Sequence, residues 1–562
     1  MATRTISNAG GNFNATGTWV EGVVPVAGDA VVATATSGQL TINVASGGVG
    51  LLSFILTGYI STVTWNSTLT VAGNVTLAGT MAGTAGTLII NAAATLVSNA
   101  VVLTCKLTLS GINTKSLTDA WFVDGLVTVG GAVGTQTING STLNCNTSLT
   151  AGTATTHIVT GTALFQFSGS VDGTWISTAT FKCDLTINKS GGTLSSSGII
   201  NYNTGTLTYT AGTVNMGTSL VLCILATTLD TDRGGGNYIA FYEIGFLGTT
   251  TLTTDLYTTT LRLVGTGTFA GAGKVNGNWS VTNLRILPTT TTVWTMTNNW
   301  SCVNLILTPA TFQLTLSGAF SLTITGDITG VGSGVLLGAA GLIYAGTGTW
   351  NATNVIRNNF NINTAGTLTL GADVTYNTGT LTYTAGTVDA MTNNSRLDIA
   401  ANTTLNTDGM SWNIIDFSPL LAGSTITLTS NLSAVTMNIW HYTAIFAGAG
   451  VWTVDNFNMS IAFAASHILQ LSIGNEYTVN VSITIISLAD YPILIKSSVG
   501  GTKAKLTYNG TSNNQRLIEV DATDIDSSDG NKLWTLGGTL SGSLNWDVSN
   551  ARVAPKNYVH VY

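Results

Sequence analysis

The sequence predicts an all-β protein: a parallel β-helix, or β-solenoid, built from duplicated modules of about 175 residues, with a small C-terminal β-domain. Three observations lead there. Charge is scarce, with 18 basic and 25 acidic residues among 562. Short alternating apolar and polar runs recur throughout. A long stretch of chain also repeats itself.

Scarcity of charge removes the material of solvated helices, whose surfaces are made mainly from Glu, Lys, Gln and Ala. Glu occurs only at Glu21, Glu243, Glu476 and Glu519. Thr, Val and Ile take the space, and their branched Cβ suits a pleated surface. The 65 glycines and many asparagines supply left-handed corners between strands. The runs LTV, VTLAG, TLIIN, LTLSG, LVTVGG, TLTYTAG and LTITGD end in Gly, Asn or Ala-Gly and recur every ten to twenty-odd residues. Period-two alternation with such dense turn signals suits a sandwich, a barrel or a solenoid. The solenoid is favoured by the brevity of the strands and the absence of linkers. Thr and Asn also recur where stacked coils would form side-chain ladders. Coils of roughly 20–25 residues stacked about 4.8 Å apart would give about 20 coils and a rod of about 100 Å.

The duplication is explicit. NYNTGTLTYTAGTV at 201–214 returns as TYNTGTLTYTAGTV at 375–388, an offset of 174. Trp175 pairs with Trp350, LTTDL at 252–256 with LTSNL at 428–432, FAGAG at 269–273 with 446–450, and Asp232 with Asp408. This divides the chain into an N-terminal cap or attachment segment (1–45), a first solenoid segment (46–160), a solenoid module (161–335), its duplicate (336–489) and a C-terminal β module (490–562). Charge density triples in the last, which holds 14 charged residues in 73.

A net charge of −7 without a basic stripe argues against nucleic acid as a partner. Mean hydropathy is +0.36, yet no run of about 18 apolar residues exists, so membrane insertion is not expected. The first residues carry no apolar core of a secretory signal. The five cysteines (105, 145, 183, 223, 302) show no C-x-x-C and read as small buried hydrophobes. The four histidines (157, 441, 467, 560) lack metal-ligand spacing. No cofactor is expected.

Candidate sites are few. Asp230, Asp232, Arg233 and Glu243 could gather in a groove, and polysaccharide cleavage uses paired carboxylates. Against this, Asp230 becomes Asn406 and Arg233 becomes Gly409 in the duplicate, while the retained Asp232 reads as a turn former. DATDIDSSDGNK at 521–532 offers Asp524, Asp526 and Asp529 to calcium, but its Gly falls one place late for an EF-hand and no Glu closes it. A solvated turn is the plainer reading. Trp279, Trp294, Trp300, Trp412, Trp440 and Trp452 could stack on sugar rings from an exposed face, or fill the core.

Trp19, Pro25, Gly28 and Asp29, running through Val31, resemble the opening W-x-x-G-x-x-P-x-x-G-D-x-V motif of many β-helical surface and phage proteins. They read as a cap on the first coil. The D-x-x-D-x-D-x-x-x-G turn and final Asn545-Trp546 resemble a module found late in phage tail and virion proteins. Together with the Thr/Gly/Asn strands, the chain resembles bacteriophage tail-fibre and tailspike-like virion appendages of the β-helix type. That resemblance implies a non-enzymatic virion-surface protein, commonly a homotrimer, with other virion proteins and a host-surface glycan or protein receptor as partners. The alternatives are a capsid or tail decoration, a polysaccharide depolymerase and a bacterial surface adhesin.

Overall fold

Alternation decides the fold. A strand that buries every second residue on one side cannot stand alone, and stacking successive turns of one chain gives each such residue a neighbour above and below. A computed structural model describes residues 2–43, 50–130, 133–152, 156–196, 198–287, 291–308, 313–330, 334–353, 355–376, 378–399, 401–417, 424–440, 443–460, 467–488 and 490–549. About 60% of the chain is strand, wound as a parallel β-solenoid of about 21 turns. The described residues contain no α-helix, only two short 3-10 turns, Thr16–Thr18 and Ser512–Asn514. The chain divides into two compact units, residues 1–281 and 282–562.

The early coils of the first unit are each made of three short strands. Thr87–Ile90 pairs in parallel with Lys106–Leu109, Ala94–Val97 with Lys115–Leu117, and Val102–Leu103 with Trp121–Val123. Following one face, Leu88 lies on Leu107, then Val127, Leu149 and Trp175, steps of 19, 20, 22 and 26 residues. Further along, two strands serve each coil and the longer one turns a corner, as in Leu185–Ser196. Side chains of one parity point inward and stack in files. Trp121, Leu143, Phe165, Leu185, Leu207, Leu229 and Leu252 form one such file, every member buried. Burying each large apolar side chain contributes about 1.5–3 kcal/mol, so the files are the main source of cohesion.

The second unit is built alike. Ile414–Phe417 stacks on Arg396–Ile399 and under Thr436–Ile439, and the coils continue to Leu533–Leu536 on Trp546–Ser549. Residues 490–549 therefore extend the stack as further coils. Outward polar side chains form files of their own. Asn438 Nδ2 donates to Asp416 (2.6 Å) and Asn458 Nδ2 donates to Asn438 (2.9 Å), one amide per coil. Asn438 thus has its amide nitrogen engaged by one neighbouring coil and its amide oxygen by the other.

The repeated sequence adopts repeated geometry. Leu185–Ser196 meets Gly205–Asn215 with register shifts after Ile187 and Asn188. Phe360–Leu370 meets Gly379–Asp389 with shifts after Ile362 and Asn363. Tyr209 donates its hydroxyl to Gly212 O, and Tyr383 donates to Gly386 O, each at 2.6 Å. Both glycines are left-handed, with φ of +109° and +111°, a conformation that side chains resist.

Candidate functional site

The N-terminal segment lies against the outer edge of the first strand, Thr3–Thr5, which pairs on its other side with Ala30–Val32. Two amides along this edge are engaged: the Glu21 carboxylate accepts from Thr5 N at 2.8 Å, and, two residues past the strand, Thr18 O accepts from Ser7 N at 2.8 Å. Trp19 is buried edge-on to Phe13, and its indole N–H donates to Phe13 O at 3.0 Å. Pro25 is buried and Gly28 turns the chain at φ +79°. Asp29, 2% exposed, gathers Ala2 N (2.9 Å), Arg4 Nε (3.0 Å) and Val26 N (3.2 Å). Burial alone would raise its carboxyl, but these donors outweigh that and hold it below the usual range.

The candidate carboxylates of the first unit do not converge as a catalytic set. Asp230 ends Thr227–Asp230, and Arg233 donates to both its oxygens, at 2.7 and 2.9 Å. This pairing holds the Asp230 carboxyl below its ordinary range. Asp232 accepts from Gly234 N at 2.7 Å and is bridged to Tyr238, so it does form a turn. Glu243 belongs to Ala240–Phe246, on a different sheet of the coil, and is paired with Arg262 one coil on. Each acid that a cleavage reaction would need is matched to an arginine or to its own turn.

The calcium candidates separate for the same reason. Asp526 closes its own turn on Ser528, Asp529 pairs with Lys505, and Asp524 accepts from Gly501 N at 2.7 Å. Among the described residues, no group of three or more His, Cys, Asp or Glu is placed to hold a metal ion.

The tryptophan reading needs correction. Trp279, Trp294, Trp300, Trp412 and Trp452 are 0–7% exposed and lie in the core, where their faces meet other side chains. Phe269 packs on Trp279, and Phe446, Phe457 and Tyr477 pack on Trp452. Strand parity turns Trp294, Trp300, Trp412 and Trp452 inward, while Trp279 enters the core from a turn at φ +59°. Only Trp440 of the six is exposed, at 48%. All five cysteines are buried free thiols. Burial pushes Cys105, Cys183, Cys223 and Cys302 up to about 12, which keeps them protonated and inert at neutral pH. His157 and His467 are buried, while His441 and His560 lie outside the described residues. No helix of the described chain is long and apolar enough to cross a membrane.

The outward surface carries what the individual candidates lack. Thr380, Thr404 and Thr427 stand in register on three successive coils, in a shallow groove with Gly379, Asn402, Thr403 and Thr425. The first unit repeats that file as Thr206, Thr228 and Thr251. Sequence reasoning also missed three outward tyrosines, Tyr238, Tyr242 and Tyr257, and the Arg262 partner of Glu243. The available signal for the tyrosines was a mismatch in length between the two repeats, where Asp232 and Phe241 are farther apart than Asp408 and Trp412.

The architecture defines the chain as a β-solenoid. Compared with protein-family models, curated proteins and solved structures, it matches none.

Proposed function

We propose that the chain is a non-enzymatic appendage of a bacteriophage virion that attaches to the host surface. The observation that carries this reading is the duplicated, uncharged file of hydroxyls, Thr206–Thr228–Thr251 and Thr380–Thr404–Thr427, one in each unit. A solenoid offers the same side chain at a fixed step, so weak contacts repeat, and avidity takes the place of a single tight pocket. The placement on a virion rests on the resemblance of the N-terminal Trp19–Val31 motif and the C-terminal module. The partners are then other virion proteins and a surface glycan or receptor, and the oligomer is a homotrimer.

Binding of the purified, folded chain to host cells, together with labelled-antibody microscopy of particles, tests the reading. Label on a tail or spike with saturable cell binding is expected. Label on the capsid shell without cell binding would convert the protein to a decoration, and absence from particles would end the proposal.

A further inference from the structure

The two units are copies, so the difference between them isolates what one has gained. In both, an aspartate opens the same turn: Asp232 N donates to Thr254 Oγ1 and Asp408 N to Ser430 Oγ, each at 3.0 Å. In both, the chain then enters a strand through a buried aromatic residue, Phe241 or Trp412. Between these anchors the first unit advances nine positions and the second only four. The additional five residues make a hairpin. Arg233 N donates to Asn237 O (2.9 Å), Ile239 N to Thr231 O (3.0 Å), and Asp232 bridges Tyr238. The ion pair of Arg233 with Asp230 ties the hairpin to the end of the strand that leads into it.

The insertion presents Tyr238, 37% exposed, with its ring stacked on Tyr257 at 3.9 Å between centroids and 21° between planes. Tyr257 is in register with Ala240, and Tyr242, two residues further along that strand, shares the outward face and is 48% exposed. Strand register places Asn413 where the first unit has Tyr242, and Ser433 where it has Tyr257. Three aromatic rings thus stand on one copy of a module whose other copy has none at the matching strand positions. Nothing in the coil's cohesion requires them, since the second unit stacks without them.

We propose that Tyr238, Tyr242 and Tyr257 form a platform for the pyranose rings of a neutral glycan. This deepens the attachment reading and rests on it. An aromatic face takes the apolar side of a sugar ring while the phenol hydroxyls meet its polar edge. The surrounding charge selects against acidic sugars. Arg233 is matched by Asp230, and the Asp232 and Asp255 carboxylates lie close enough to the Tyr257 phenol, after the effect of its burial, to raise it further.

The test is affinity electrophoresis of the full chain through gels containing dextran, galactomannan or alginate, with host-cell binding measured in parallel. The comparison is the triple variant Tyr238→Ala, Tyr242→Asn, Tyr257→Ser, which carries the second unit's residues at the two strand positions. Retardation by a neutral polymer, weakened at least about tenfold in a variant with unchanged melting, is the expected result. Equal retardation of variant and parent, no retardation by either neutral polymer, or stronger retardation by alginate overturns the platform. If the variant loses polymer binding but melts early, Tyr242→Asn alone decides, because that exposed ring is not part of the stacked pair. Its unaltered binding would then overturn the proposal. Cell binding that survives while the platform fails leaves the attachment reading intact, and loss of cell binding by the parent chain strikes that reading itself.

Discussion

A single buried amine shows how strictly the coil interior discriminates. Lys115 is fully buried, and its ammonium donates to Ser110 O (2.5 Å) and to the Asn113 side chain. Burial pulls its pKa down from the ordinary 10.5 to about 8. The unfolded chain therefore holds this proton over a range where the folded chain has released it. Stability is depressed below about pH 8 and rises between about 8 and 10.5. This rise belongs to Lys115 alone: the buried thiols, held above their ordinary 9.0, pull the melting temperatures of parent and variant down alike in the upper part of the window, so the climb is read as the parent's gain relative to Lys115→Met. In Lys115→Met this contribution to the climb should disappear, with a higher melting temperature at pH 7. An unchanged pH profile in the variant would show that Lys115 does not titrate there.

Residue type misleads at Lys115: a lysine is expected outside, although in KSL it shares the parity of the inward Leu117. The same blindness affected Trp294, Trp300, Trp412 and Trp452, where residue type suggested exposure and parity dictated burial. Arg262 escaped notice because its partner Glu243 lies 19 residues away, a distance meaningful only once coil length is known.

At the scale of the strand, alternation and turn residues made most of the architecture legible. The LTLSG and TLTYTAG runs became strands with their Leu residues inward, and the repeated NTGTLTYTAGTV became repeated bulged strands. What the pattern did not reveal was where a strand turns a corner without breaking, as Phe360–Leu370 does. Those corners depend on residues such as Gly386, whose φ is +111° and where a Cβ would collide with Thr364 on the preceding coil. Gly386→Ala should cost about 1–3 kcal/mol in denaturant unfolding. The equivalent Gly212→Ala should cost a similar amount, because its φ is also left-handed and a Cβ would press on Lys189. Two unequal costs, with one near zero, would mean that the copies do not share the strain. The tyrosine cluster was illegible at this scale for a related reason: residues 238, 242 and 257 meet only through register between coils and through a hairpin that the duplicate lacks.

For the whole molecule, the governing fact is that within each unit the described coils are held by their neighbours, so the first coil needs special treatment. The Asp29 carboxyl is held below its ordinary range, so its contribution is complete at neutral pH. That contribution fades as the pH falls from about 3.9 through the lower folded value. Proteolysis within residues 1–30 should therefore appear on acidification before the later coils open, and in Asp29→Asn it should appear already at pH 7. Resistance of both to acid cleavage would contradict this.

The engagement of Thr5 N and Ser7 N by Glu21 and Thr18 has a consequence for self-assembly. A bare rim of donors and acceptors is an invitation to any extended peptide, including another molecule's rim. Cut away the first twenty-two residues and the strand Ala30–Val32 becomes such a rim, so the shortened chain should associate rim to rim in pairs at concentrations where the intact one does not.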